Sequence, residues 1–256
     1  MKKSSKILLL TLFFICVAST AAYAASPNLS IPKVSISVDG TQNPKEYVDN
    51  IKLLILLTSL TFIPAIVLTM TSFTRIAIVL GFVRNALSTQ QSPPNQVLIG
   101  LALFMTFFIM SPVYGKVNTE AIQPYVKGQI TQQQAIDTGS KPIKEFMLNQ
   151  TYEKDLALFL KSANIDKPNE RYDVPFKVLV PAFIISELKT AFKIGFLIYV
   201  PFIVIDMVVA SVLMSMGMFM LPPVTVSLPF KILLFVLADG WHLVVKGLIE
   251  SFVVKG

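Results

Sequence analysis

A chain of 256 residues that is 54% hydrophobic and only 14% charged, with a mean hydropathy of +0.66, falls short of the roughly 25% charge of soluble domains and reads as an integral membrane protein. Its formal net charge of +7 is scattered apart from a cluster at Lys2, Lys3 and Lys6, so no basic face for a phosphate backbone exists and no nucleic-acid partner is expected. One cysteine and one histidine provide no metal-ligand spacing and no disulfide, and no cofactor is expected.

Residues 1–24 follow the logic of a cleavable signal. Lys2, Lys3 and Lys6 precede the apolar run Ile7 to Val17, and Ala22, Tyr23 and Ala24 form a small-x-small site that places cleavage between Ala24 and Ala25. A first transmembrane helix is the alternative, but the run is short for the roughly 20 residues a span needs. Cys16 lies in the segment to be removed. Residues 25–50 mix Ser, Pro, Asn and Gly with short apolar alternation and read as an irregular exported segment.

Residues 51–115 form a first hydrophobic hairpin. Its outgoing arm is uncharged from Leu53 to Thr74 and resumes beyond Arg75 to Val83, too long for one straight span, and Pro64 predicts a kink. Ser92, Pro93, Pro94, Asn95 and Gln96 make the turn, with Asn95 available as a helix cap. The returning arm, Val97 to Tyr114, carries Phe104, Phe107 and Phe108 and is expected to end near Pro112 and Gly115.

From 116 to 177 the chain becomes polar and water-exposed. Tyr152, Leu156, Phe159, Leu160 and Ala163 share one helical face, with Ile143, Phe146 and Met147 on a shorter one. This region is either a small helical cap on the membrane part or a platform for a partner. A second hairpin, 178–256, has an overlong first arm in which Gly195 and Pro201 predict a kink or break. It turns through Met216, Gly217, Met218, Phe219, Met220, Leu221, Pro222 and Pro223, a run of large, flexible apolar side chains that looks like a plug or a seal. With the signal cleaved, the new N-terminus and 116–177 lie outside and both turns lie inside.

Charges within the apolar runs need protein or water around them, because an ionisable group in hydrocarbon is costly. They are Glu187, Lys189, Lys193, Asp206, Lys231 and Asp239. Asp206 and Asp239 could relay protons or be structural ion-pair members. Asp239, three residues before His242 on an expected helix, could form a dyad, although a satisfied structural pair accounts for it as well. With no nucleophile, base or metal set, no catalysis is expected. The class is all-α: two long kinked helical hairpins in the membrane with a small helical exported domain between them. A small-solute secondary transporter would instead carry inverted repeats around a midplane site, and the two hairpins share a proline-kinked pattern without an internal sequence match.

Four long strings are specific enough to suggest a family. They are LTFIPAIVLTMTSFTRIAIVLGFVRNAL from Leu60, STQQSPPNQVLIGLALFMTFFIMSPVY from Ser88, VPAFIISELKTAFKIGFLIYVPFIVIDMVVASVLMSMGMFMLPP from Val180 and LPFKILLFVLADGWHLV from Leu228. Together they resemble the FliP family of flagellar type III export-gate subunits over about Leu53 to Phe252. The resemblance implies a multi-pass protein of the bacterial cell membrane and flagellar basal body. It implies a pentamer-like homo-oligomer assembled with FliQ and FliR into a helical cone, FlhB and FlhA nearby, and unfolded flagellar proteins passing through the centre. It also implies hairpins largely raised out of the bilayer plane once assembled. Carried over residue by residue, Met218, Phe219 and Met220 match a methionine-rich gasket across the pore, where Phe219 stands in place of one of the usual three methionines; by glycine and proline chemistry, Gly217, Pro222 and Pro223 are expected to be the hinge of such a gate. Glu187 and Lys231 match charges that pair between neighbouring subunits, and Arg75 matches a family motif without an assigned role.

Overall fold

The computed structural model describes residues 44–89, 91–166 and 171–253; the signal segment, its cleavage point between Ala24 and Ala25, and residues 25–43 lie outside them. Among the described residues every regular element is helical. The chain divides into two compact units, Met1–Leu57 and Thr58–Gly256. The described part of the first belongs to α1 (Pro44–Leu60), which runs just past the boundary. Residues 44–50 are therefore helical rather than irregular. Pro44 opens the helix where its missing N–H costs no bond.

The second unit starts with α2 (Ile63–Met70) and α3 (Phe73–Ala86). The outgoing arm of the first hairpin is thus broken twice rather than kinked at Pro64. Pro64 lies in the first turn of α2, a position where proline is tolerated, so the break precedes it. The second break, at Thr71 and Ser72, is closed locally: Thr71 takes an extended conformation and its hydroxyl accepts a bond from the Phe73 N–H at 3.3 Å. After the proline turn, α4 (Asn95–Val117) starts with Pro94 as the capping residue. Asn95 is then the first helical residue rather than the cap, and its side-chain oxygen accepts a bond from Arg84.

The returning arm also runs further than expected. It passes through Pro112 and continues by a π turn (Asn118–Ile122) into the short α5 (Gln123–Val126), making one helical run of 32 residues. Pro112 costs a backbone bond without ending the helix. Residues 116–126 therefore extend the hairpin arm. The next helix, α6 (Gln132–Gln150), is started by a reciprocal capping box between Thr131 and Gln134. It packs closely on the π turn: a Cβ added to Gly139 would lie 3.1 Å from the Cβ of Ala121.

Helix α7 (Glu153–Ser162) follows, then a 3-10 turn (Arg171–Asp173) and α8 (Phe176–Ser215). The apolar faces read from the sequence meet here. Met147 and Leu148 of α6, Leu160 of α7, and Val178, Leu179 and Phe183 at the start of α8 form one buried cluster, with Ile143, Phe146, Leu156 and Phe159 packed on it. Helix α8 runs unbroken for 40 residues through Pro201, or about 60 Å at ~1.5 Å per residue. Gly195 thus marks a close approach instead of a break: a Cβ there would lie 2.5 Å from the ring of Phe82 on α3. The α3–α8 pair is the most extensive helix contact in the unit.

The bend of the second hairpin falls in its returning arm. Helices α9 (Pro223–Leu237) and α10 (Gly240–Val253) meet at 63°. Asp239 occupies this break with a left-handed φ of 49°, so it does not share a helix with His242. Phe235 folds back over Gly240, where a Cβ would sit 2.3 Å from the ring, and Trp241 meets Phe235 edge-on at 5.4 Å between centroids. A second buried cluster joins α3 (Ile76, Val79, Leu80, Val83), α4 (Leu98, Ala102, Met105), α8 (Ala191, Phe202), α9 (Phe235) and α10 (Val244, Leu248).

Among the described residues, two helical runs, Asn95–Val126 and Phe176–Ser215, are long and apolar enough to cross a membrane. There are up to four spans if the bent pairs Leu53–Leu60 with Pro64–Met70 and Pro223–Leu237 with Gly240–Phe252 each count as one.

Candidate functional site

Three polar clusters and one exposed loop account for most of the residues singled out from the sequence. Arg75 is the centre of the first cluster. It is fully buried, as is Glu187, and the two form a forked ion pair, with Nε at 2.8 Å from Oε2 and Nη2 on Oε1. The remaining donors are also used. Nη2 reaches Gln150 Oε1 at 2.9 Å, and Nη1 reaches the Ser251 carbonyl at 2.9 Å and its hydroxyl at 3.1 Å. The Phe252 ring stacks 3.9 Å from the guanidinium carbon, and Gln150 in turn donates to the Phe252 carbonyl at 3.2 Å. One planar cation thereby ties α3, α6, α8 and the end of α10 together, a task that suits the rigid fork of arginine and not a lysine ammonium.

Lys231 is the second centre, with its side chain 1% exposed. Its ammonium lies 2.6 Å from Asp206 Oδ2 and 2.8 Å from the Ser88 hydroxyl, and Ser227 donates to the other Asp206 oxygen. This cluster holds α8, α9 and the end of the α3 segment together. Glu187 and Lys231 therefore each have a partner within their own chain, Arg75 and Asp206.

The third cluster docks α7 on α8. Asp155 is buried, paired with Lys189, and accepts from the Ser186 hydroxyl at 2.8 Å. Ser186 also accepts the Tyr152 N–H at 3.0 Å, and the Tyr152 hydroxyl lies 3.2 Å from that of Thr190. Lys193 stands over the Tyr152 ring at 5.0 Å. Burial by itself pushes the Asp155 carboxyl upward, but the hydrogen bonds from Lys189 and Ser186 and the lysine charge outweigh it, so its pKa is lowered.

Several of these partners were not singled out by the sequence reading. Asp155 carried a usable signal: with Tyr152, Leu156 and Phe159 it falls on the apolar face of α7, where an acid must find a partner. Gln150, Ser88, Ser227 and Ser251 carried none, because each becomes a ligand of a buried charge only through the packing of distant segments. Asp239, at the α9–α10 break, is not brought into any of the three clusters.

The exposed feature is the loop between α8 and α9. Helix α8 ends in a Schellman arrangement: the Met218 N–H bonds the Leu213 carbonyl at 3.0 Å and the Gly217 N–H bonds the Met214 carbonyl at 3.1 Å, with Gly217 at a φ of 74°. Pro222 then caps α9 and Pro223 opens it. Gly217, Pro222 and Pro223 have the geometry that ends one helix and starts the next. Between them Met218, Phe219 and Met220 project from the tip, 41%, 79% and 98% exposed. Large apolar side chains held outward on a tightly closed turn are available to another surface or to copies of themselves.

Comparison with known proteins agrees with the long strings read from the sequence. The FliP family profile matches residues 56–248. The chain belongs to the FliP family. It is 58% identical over 217 residues to the flagellar biosynthetic protein FliP of Bacillus subtilis (strain 168), covering 85% of this chain and 98% of that protein. Against the FliP of Pectobacterium carotovorum subsp. carotovorum it is 58% identical over 203 residues, 79% of each chain. Against that of Aquifex aeolicus (strain VF5) it is 49% identical over 224 residues, 87% of this chain and 92% of that one. The FliP match contains Arg75, Glu187, Asp155, Lys189, Asp206, Lys231 and the exposed loop; Ser251 lies just beyond it.

Proposed function

We propose that this chain is a pore-forming subunit of the flagellar protein export gate, and that Met218, Phe219 and Met220 form its seal. Its family makes it a membrane-embedded flagellar biosynthetic protein and not an enzyme. Copies of the chain assemble, in this reading, with FliQ and FliR, with FlhB and FlhA alongside, and unfolded flagellar proteins pass along the common axis. The carrying observation is the outward projection of three bulky apolar side chains on a turn whose backbone is closed by its own hydrogen bonds. Several such tips meeting on an axis exclude water and ions, while flexible methionine side chains yield around a passing polypeptide.

Two further observations support assembly over an isolated bundle. Helix α8 is about twice as long as the roughly 30 Å hydrocarbon core, and its first half is engaged by the water-exposed helices through Asp155 and Phe183. Phe104, Phe107 and Phe108 of α4 and Phe196, Leu197 and Val204 of α8 are exposed on the chain alone, leaving long apolar surfaces for neighbouring subunits or lipid. The pairs Arg75–Glu187 and Asp206–Lys231 keep the hairpins rigid enough to present the tip. Lys189 and Lys193 anchor the exported helices.

The test is ion conductance of the complex co-purified with FliQ and FliR. Replacing Met218, Phe219 and Met220 together by Ala is expected to leave assembly intact and to open a standing leak, with export of flagellar proteins into the medium measured in parallel. An intact complex with unchanged permeability would place the seal elsewhere. Purification as a lone chain with solute-coupled transport would defeat the gate reading altogether.

A further inference from the structure

The same loop has a chemical property that its mechanical role does not use. Methionine thioethers are oxidised to sulfoxides according to their exposure, and the product is polar where the parent was apolar. This chain contains both extremes. Met220 is 98% exposed and Met216 67%, whereas Met147 is 0% and Met110 1% exposed. The exposed methionines at 216, 218 and 220 alternate along a turn that also projects Phe219; Met207 and Met214 of α8 are exposed as well, at 64% and 61%, but they precede that turn. No side-chain hydrogen-bond donor of the loop could absorb a new sulfoxide oxygen, because the run from Met216 to Pro223 contains no polar side chain.

From this pattern we propose that Met218 and Met220, with Met216 beside them, are a reversible oxidation site through which hydroperoxides unseal the gate. The inference rests on the seal reading above. In the step, the thioether sulfur attacks the terminal oxygen of hydrogen peroxide and the O–O bond breaks. The sulfur loses two electrons and gains one oxygen, and the leaving hydroxide takes the proton of the transferred hydroxyl to become water. A ring of sulfoxide dipoles attracts water into a constriction that stays closed only while it is dry. Repetition of the loop around an axis multiplies the effect, since each copy contributes the same alternating sulfurs.

The experiment uses the assembled complex in planar bilayers, with hydrogen peroxide as the probe and mass mapping of every methionine. Met218 and Met220 are expected to gain oxygen at least about tenfold faster than Met110 and Met147, and conductance is expected to rise with their modification. Methionine sulfoxide reductase with a dithiol should return it to the closed level. A complex carrying Met216→Leu, Met218→Leu and Met220→Leu has no thioether in the loop, and its conductance in peroxide should not rise above its own level without peroxide. If the loop sulfurs oxidise without a change in conductance while the triple alanine variant does leak, the oxidation inference falls and the seal stands. If the leucine variant opens equally, the responsive methionine lies elsewhere and the inference again falls. If the alanine variant does not leak, the seal reading fails first and takes this inference with it.

Discussion

Exchanging the charges of Glu187 and Lys231 separates an in-chain role from an intersubunit one. In the structure Glu187 faces Arg75, and Lys231 faces Asp206. Glu187→Lys therefore buries a second cation against a guanidinium that has no solvent contact, and Lys231→Glu sets two carboxylates together. Removing one partner of a buried pair typically costs about 3 to 5 kcal/mol, and a like-charge contact costs more. Against a total stability of about 5 to 15 kcal/mol for a folded domain, either change removes a large share. The double exchange does not repair this, since Arg75 and Asp206 still meet the wrong sign. Both single variants and the double are accordingly expected to fail in assembly on native gels, and the two that carry Glu187→Lys to lose protection of α10 from protease, because Ser251 and Phe252 are held by Arg75. Glu187→Gln, which keeps the shape and one acceptor, should lose less. Recovery of assembly in the Glu187→Lys, Lys231→Glu double variant would refute the in-chain assignment and return the pair to the subunit interface.

Two other outcomes follow from particular contacts. Gly195→Ala places a methyl 2.5 Å from the Phe82 ring and 3.0 Å from its Cβ, so ring rotation alone cannot relieve it. A loss of about 1 to 3 kcal/mol is expected from overpacking, read as a lower melting temperature in detergent, and a variant as stable as the parent would show that α3 and α8 can move apart freely. Asp155 has a lowered pKa, so its stabilising contribution is present above the ordinary aspartate range and is lost as pH falls through the lower folded value. Limited proteolysis between α6 and α7 should therefore increase only below about pH 4. Asp155→Asn should be susceptible already at neutral pH, with a flatter profile; an unchanged profile in that variant would remove Asp155 from the docking contact.

The amino-acid sequence by itself determined the all-helical membrane class, the helical faces around Phe146 and Phe159, and the apolar turn at Met218. These properties are local: composition, helical periodicity and proline chemistry act within a few turns of chain and need no knowledge of neighbours. It also revealed that Glu187, Asp206 and Lys231 needed partners, since a charge in an apolar run is conspicuous wherever the run folds. Which partners they take was decided by tertiary structure alone, because Arg75 and Glu187 are 112 positions apart and Lys231 and Ser88 are 143 apart. The breaks show the same division. Pro112 and Pro201 look like interruptions in sequence, yet both helices pass through them. The 63° bend at Asp239 has no proline and depends on Phe235 folding over Gly240. A missing backbone bond can be tolerated where the surrounding helices hold the direction of the chain, whereas a bend imposed by a ring against a glycine exists only once both are packed.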